Sequence, residues 1–126
     1  MAKVIIGCSL FGLYLLYSII VYTKGTEITH TIPADEQASI TKGKVLFQQH
    51  NCTSCHQIYG LGGYLGPELT NAYSDPLRGE LYMRTFLQAG GQRMPKFGFR
   101  QEEINALISY LKYVDATAIT YKGVTK

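Results

Sequence analysis

The stretch Cys52-Thr53-Ser54-Cys55-His56 decides how the rest of this 126-residue chain is interpreted. A C-x-x-C-H string is the attachment sequence for a c-type haem. Its two thiols lie close enough to add to the two vinyl groups of one porphyrin. The histidine that follows the second cysteine can then ligate the iron. We therefore expect covalent haem at Cys52 and Cys55, with His56 as the proximal ligand.

Two other uses of a cysteine pair fit this sequence less well. A thioredoxin-like redox pair would lie between a strand and a helix of a βαβ unit, and the surrounding residues do not show that pattern. A zinc site needs further cysteine or histidine ligands at metal spacing. The remaining candidates are Cys8, His30 and His50, which are scattered along the chain.

Composition and charge are those of one small domain. The net charge is +3, and the basic residues are scattered, which argues against a nucleic-acid surface. Three cysteines, two of them in the motif, leave no disulfide framework. A chain of this length has a thin apolar core, to which a buried macrocycle would contribute.

The amino-terminal run from Val4 to Tyr22 contains no charged residue. As a helix it would extend about 28 Å, close to the hydrocarbon thickness of a bilayer. A cleaved signal peptide has a shorter apolar region that ends in small residues, and this run does not. We expect residues 1–23 to be an uncleaved transmembrane anchor. The soluble part should lie in the periplasm, because covalent haem is attached outside the bacterial inner membrane.

Residues 24–38 are polar and show no helical or strand period, which predicts a linker with a solvated His30. The haem domain is predicted at residues 39–115. Ser39 or Thr41 is expected to cap its first helix, because a hydroxyl can accept a bond from the free N–H groups of the first turn.

Gly43 and Phe47 are four residues apart and share a face of the first helix. A bare Cα beside an aromatic ring suits a close crossing with the last helix, where Tyr110 could meet them. An ordinary amphipathic helix with an incidental glycine fits as well. The last helix is predicted over Glu102 to Val114 from its single-face apolar period, and residues 116–126 form a tail without pattern.

A middle helix is expected to begin at Asp75, as cap, and Pro76, as first helical residue. It should end near Ala89, before two glycines, and Gly79 would delay its true start. Its apolar side is predicted to comprise Leu77, Leu81, Phe86 and Leu87.

The run from Gln57 to Leu69 is rich in glycine, which argues against regular structure and for a backbone that can wrap closely round a flat ligand. The carbonyl of Pro67 is placed to accept the Nδ1–H of His56. Such a bond fixes the tautomer of a ligating histidine and raises its basicity. A plain surface turn is the alternative.

An electron carrier needs a sixth iron ligand, and methionine is the one that raises the potential. Met94 lies on a loop bounded by glycine and proline, where a thioether can be aimed at a metal. Met83 lies inside a helix, and His50 is too close in sequence to the motif to reach the opposite haem face. Arg93, or Gln92, is expected to neutralise a haem propionate, with simple solvation as the alternative.

Together these features resemble a class I cytochrome c over residues 39–115, with Gly66-Pro67-Glu68-Leu69 and Met94-Pro95 as its further signatures. The fold class implied is all-α, a single N-terminal transmembrane helix followed by a class I cytochrome c domain. The run Asn51–His56 and the string Gly62-Gly63-Tyr64 narrow the resemblance further. They are similar to the small membrane-anchored cytochrome c subunit of bacterial nitric oxide reductase.

That resemblance implies one covalent haem c and a large haem-b membrane subunit as catalytic partner. Electrons would come from a small soluble periplasmic donor, and no catalysis is expected on this chain itself. It also implies a calcium ion at the subunit interface, contacted by the Gly62 carbonyl and Tyr64, although Leu61 stands where an acidic residue is common. The residues expected at the haem are Cys52, Cys55, His56, Pro67, Leu69, Arg93 and Met94.

Two alternatives remain open. One is the haem c subunit of a terminal oxidase, or an anchored shuttle between complexes. The other is of a different class, a gas sensor or peroxidase with five-coordinate iron, in which Met94 is not a stable ligand.

Overall fold

The computed structural model describes residues 2–25 and 32–118, and the chain divides into two units between Thr31 and Ile32. His30 and the rest of linker residues 26–31 lie outside the described residues, as do tail residues 119–126.

The first unit is helix α1, Ala2–Lys24, in which no residue is buried. Large apolar side chains are exposed along its length, from Val4 to Tyr22. A helix that is apolar all round needs an apolar surrounding. By length and composition α1 could cross a membrane, as predicted.

The second unit is mainly helical, as expected. It contains α2 (Ala34–Gln49), a 3-10 turn (Cys52–Ser54), α3 (Gly79–Ala89) and α4 (Gln101–Thr117). A short antiparallel pair, β1 (Gln57–Ile58) and β2 (Leu61–Gly62), follows the 3-10 turn. The core lies mainly between α2 and α4 and is built from Leu46, Phe47, Ile104, Leu107, Ile108, Leu111 and Val114.

The α2–α4 crossing depends on Gly43. A Cβ added there would lie 2.0 Å from the carbonyl oxygen of Ala106 and 2.8 Å from Cβ of Tyr110. One turn further along α2, the ring of Phe47 packs on Tyr110 with a centroid distance of 5.5 Å. The predicted close crossing with Tyr110 is therefore confirmed.

Helix α2 begins earlier than predicted, at Ala34 rather than at Ser39 or Thr41. Pro33 precedes its first residue. Two acidic residues in its first turn interact favourably with the positive end of the helix dipole, which stabilises the helix start. The hydroxyl of Thr41 bonds back to the carbonyl of Gln37, 2.9 Å away, inside the helix. Residues 34–38 therefore belong to the helix and not to a linker.

Helix α4 begins and ends beyond its predicted limits, at Gln101 and Thr117. Its start is fixed by a reciprocal pair, in which the Arg100 N–H donates to the Glu103 carboxylate (2.8 Å) and the Glu103 N–H donates to the Arg100 carbonyl (2.9 Å). The first two residues of the predicted tail, 116 and 117, continue this helix.

The predicted start of α3 at Asp75 and Pro76 is wrong, and the delay expected from Gly79 is confirmed. The carboxylate of Asp75 accepts the N–H of Leu77 at 2.8 Å and pairs with the Arg78 guanidinium, so it caps a turn before the helix. Gly79, the first residue of α3, has a φ of +31°, so the preceding turn is not continuous with the helix.

The predicted apolar side of α3 is also partly wrong. Met83 is buried and Leu87, four residues later, packs against the core. Leu81 is two residues from Met83, on the opposite side of the helix, and is 80% exposed. Leu77 lies in the preceding turn and is 90% exposed.

The glycine-rich run contains one regular element that the sequence did not indicate, the β1–β2 hairpin. Its two turn residues, Tyr59 and Gly60, have φ of 54° and 74°, the signature of a type I′ turn. Tyr59 tolerates this conformation because its N–H donates to the Thr70 hydroxyl (2.6 Å) and its own hydroxyl to the Val114 carbonyl (3.2 Å).

Replacing Gly43 by Ala should destabilise the domain by about 1–3 kcal/mol, because the added methyl overlaps the backbone of α4. The measurement is denaturant unfolding of the full chain in detergent, followed by circular dichroism. Lys44→Ala, at an exposed position of the same helix, is the control. Equal stability of the two variants would show that the helices do not need this contact.

Candidate haem site

The two motif cysteines lie on a single tight turn of backbone. The N–H groups of Cys55 and His56 both donate to the Cys52 carbonyl, at 3.2 and 2.9 Å. The turn opens at Asn51, which has a φ of 51°. Both thiols are free and partly buried, and burial raises the pKa of the Cys52 thiol above its usual value. The two sulfurs therefore lie on one turn, where both can add to vinyl groups of a single porphyrin.

The imidazole of His56 is oriented by the bond that the sequence predicted. Its Nδ1 lies 2.8 Å from the Pro67 carbonyl oxygen. A carbonyl can only accept, so Nδ1 carries the proton and Nε2 keeps a free lone pair. That is the tautomer a metal-ligating histidine needs.

Gly66 leaves the space that this imidazole occupies. A Cβ on Gly66 would lie 2.4 Å from Cε1 and 2.6 Å from Nδ1 of His56, so only a bare Cα fits beneath the ring. The Gly66 N–H also donates to the Cys55 carbonyl at 2.8 Å. The glycine loop and the motif thus hold one ring in one orientation, and these residues fit a covalently attached, histidine-ligated haem.

Two further glycines bring the loop onto the motif turn. A Cβ on Gly63 would lie 1.9 Å from the Ser54 carbonyl oxygen, and one on Gly62 would lie 2.1 Å from that of His56. The Gly63 N–H donates to the Thr53 carbonyl at 2.8 Å. The glycines predict a backbone that wraps closely round a flat ligand. In the structure, the backbone at these glycines packs closely against the motif turn.

Met94 lies on the loop between α3 and α4 and is partly buried. Its carbonyl accepts the N–H of Gly91 at 2.8 Å, and the ring of Phe86 lies against the bare Cα of Gly91. Met83, by contrast, is buried in the apolar core, as expected of a methionine inside a helix. Arg93 is exposed on the same loop as Met94.

The other predicted site residues are spread around the motif. Leu69 is half-buried against the core, and its N–H donates to the Gln57 carbonyl at 2.9 Å. Gly62 is in β2, and Tyr64 is 88% exposed. Across residues 2–25 and 32–118, no group of three or more His, Cys, Asp or Glu side chains could hold a metal ion.

A ring cluster near the site was missed by the sequence reasoning. The imidazole of His50, just before the motif, packs edge-on against two phenylalanine rings. The centroid distance is 4.7 Å to Phe99 and 5.2 Å to Phe97. These rings are far apart in sequence and share no period, so no local pattern could have revealed the contact. Gly66 was identified only as part of the Gly66-Pro67-Glu68-Leu69 signature, with no role of its own assigned to it.

Comparison with known proteins places this geometry in a family. A family model described as cytochrome c oxidase, cbb3-type, subunit III matches residues 38–111. The nitric oxide reductase C subunit of Stutzerimonas stutzeri is 26% identical over 117 residues, covering 85% of this chain and 80% of that protein. The same subunit of Paracoccus denitrificans is 29% identical over 115 residues, covering 81% and 73%.

A third relative has a different name. The cytochrome bc1 complex cytochrome c subunit of Corynebacterium diphtheriae is 34% identical over 85 residues, which are 65% of this chain and 30% of that protein. The resemblance to the nitric oxide reductase subunit, inferred from the motifs, is confirmed by the first two relatives. The domain is a cytochrome c domain that binds haem c, and the chain belongs to the family of cbb3-type cytochrome c oxidase subunit III.

Proposed function

We propose that this chain carries one covalent haem c and passes single electrons from a small soluble periplasmic donor to the haem-b catalytic subunit of a nitric oxide reductase-like complex. The observation that carries the proposal is the orientation of His56, fixed by Pro67 and by the bare Cα of Gly66. Haem c, when bound, supplies reversible one-electron oxidation and reduction of its iron.

Cys52 and Cys55 would hold the cofactor by two thioether bonds. In each addition the S–H bond would break, sulfur would bond to one vinyl carbon and the hydrogen would bond to the other, so no external oxidant would be consumed. Both thiols are free to do this, and they lie on one turn of backbone.

His56 and Met94 are the proposed axial ligands. The Nε2 of His56 is the free nitrogen, because Nδ1 donates to Pro67. Met94 lies on a loop pinned at Gly91, so its thioether can be presented with little loss of freedom. With both of these residues bound to the iron, no site on it would be left for a substrate, and catalysis would belong to another subunit. Arg93 and Leu69 are proposed to contact the haem without ligating it.

The membrane and compartment follow from α1 and the motif. Helix α1 could cross a bilayer, and covalent haem attachment takes place outside the bacterial inner membrane. We therefore propose a single-pass inner-membrane protein with its haem domain in the periplasm.

The partner is proposed from the relatives named as nitric oxide reductase subunits. The family description favours a second candidate, a subunit of a haem-copper terminal oxidase. A calcium contact through the Gly62 carbonyl and the exposed Tyr64 is proposed at the interface with the large subunit. Purification in mild detergent tests the partner: nitric oxide reduction by a co-purifying haem-b subunit supports the first candidate, and oxygen reduction supports the second.

Met94→Ala should lower the reduction potential and open the reduced iron to carbon monoxide, because the thioether ligand is removed. The measurements are a redox titration and a carbon monoxide difference spectrum of the full protein in detergent. Met83→Leu, at the buried core methionine, is the control and should keep both properties. Rapid carbon monoxide binding by the native reduced protein would favour the gas sensor or peroxidase.

Gly66→Ala should displace the proximal imidazole, since the added methyl would overlap its ring. We expect haem to remain attached while the absorption spectrum loses the features of a six-coordinate iron. Leu65→Ala, at the preceding and 66% exposed residue, should leave the spectrum unchanged. A native spectrum for Gly66→Ala would contradict the role assigned to Gly66, namely that its bare Cα is needed to seat His56.

A further inference from the structure

The loop that carries Met94 is fixed at both of its ends by backbone bonds. At its start, the Gly90 N–H donates to the Phe86 carbonyl and the Gly91 N–H to the Met94 carbonyl, each at 2.8 Å. At its end, Arg100 is held in the reciprocal pair that opens α4. How firmly the methionine is presented therefore depends on what holds the stretch between Met94 and Arg100.

That stretch is held by aromatic rings. The ring centroids of Phe97 and Phe99 are 5.3 Å apart. In a regular extended chain, alternate residues also lie on the same side, but their side chains are further apart than this. Gly98 between them has a φ of +72°, which turns the chain there. Both rings pack against His50. The plane of its imidazole makes an angle of 84° with the ring of Phe99 and 68° with the ring of Phe97. Edge-to-face packing of this kind is the favoured geometry for rings.

The partner of these rings lies next to the haem attachment turn. His50 is the residue after α2 and comes just before Asn51 and Cys52. Its backbone N–H donates to the Leu46 carbonyl at 3.0 Å whatever its side chain. The helix end therefore does not depend on the imidazole, which packs against the two rings, and Phe99 in turn packs against the core.

We propose that His50 is a positioning residue for Met94: its imidazole, packed against Phe97 and Phe99, ties the methionine loop to the end of α2 and so keeps the thioether on the iron. This inference rests on the proposed function, in which Met94 is the distal ligand. His50 itself touches neither the iron nor a substrate. Its ring contacts raise the free energy needed to move the Met94 loop away from the iron.

The test is competition between Met94 and added imidazole for the ferric iron of the full protein in detergent. The readout is the weak red absorption band of thioether-ligated haem. His50→Ala should bind imidazole about tenfold more tightly, because two edge-to-face contacts that each contribute a factor of about 2 to 12 are lost. His50→Phe keeps a ring and should stay within about twofold of the native affinity. Gln49→Ala, at the exposed neighbouring residue, is the control.

Phe97→Ala carries the same test if His50→Ala fails to fold or load haem. It should tighten imidazole binding by less than His50→Ala does, because the contact between His50 and Phe99 remains. The double variant should show less than the product of the two effects, because both substitutions remove the same His50–Phe97 contact. Native imidazole affinity in both alanine variants would overturn the inference. Equal tightening in His50→Phe and His50→Ala would do the same, because a ring would then not be the cause.

Met94→Ala separates this inference from the proposed function. Loss of the red band in Met94→Ala, with no change in the imidazole affinity of His50→Ala, contradicts only the role of His50. A red band that survives Met94→Ala contradicts the assignment of the distal ligand, and the inference about His50 falls with it.

Discussion

The contact on which the rest of the site depends is between a bare Cα and an imidazole ring. Gly66 lies so close beneath His56 that any side chain would overlap it, and the next residue, Pro67, supplies the carbonyl that fixes the tautomer. Close contact and hydrogen bond act on the same ring, so its free nitrogen can point in only one direction. A metal ligand held in this way loses little conformational entropy when it binds, and its basicity is raised by its partner.

The same constraint explains the glycines around it. Gly62 and Gly63 approach carbonyls of the motif turn at distances that exclude a Cβ, and Gly63 also donates a bond to Thr53. The run after the motif is therefore a packed layer of backbone on backbone, and it is not a flexible connection. The short β1–β2 hairpin pairs further backbone groups of the same run.

The sequence predicted those features whose cause is local. The five-residue motif and its bond to the Pro67 carbonyl follow from residue type and short spacing. For the Gly43 crossing, the spacing of Gly43 and Phe47 predicted the face of α2 that packs against α4. Prediction fails where two local signals compete: Ser39 and Thr41 are good capping residues, but Pro33 and the acidic first turn start α2. Glycines, moreover, look alike in a sequence. Whether one serves a turn, as Gly60 does, or a close approach, as Gly66 does, is decided by residues distant from it.

The two sides of the proposed haem site differ in how they are held, and this difference has a physical consequence. On the His56 side the contacts are backbone to ring, and no rotamer can relieve them. On the Met94 side the loop is pinned at its ends, and its middle depends on side-chain rings that gather around His50 at the end of α2. Helix α2 in turn is fixed by the crossing at Gly43. A single substitution can remove one of these ring contacts, whereas the backbone contacts beneath His56 do not depend on the side chains of the loop. The proposed methionine side is therefore the one on which small sequence changes can adjust how the ligand is held, while the histidine side stays constant.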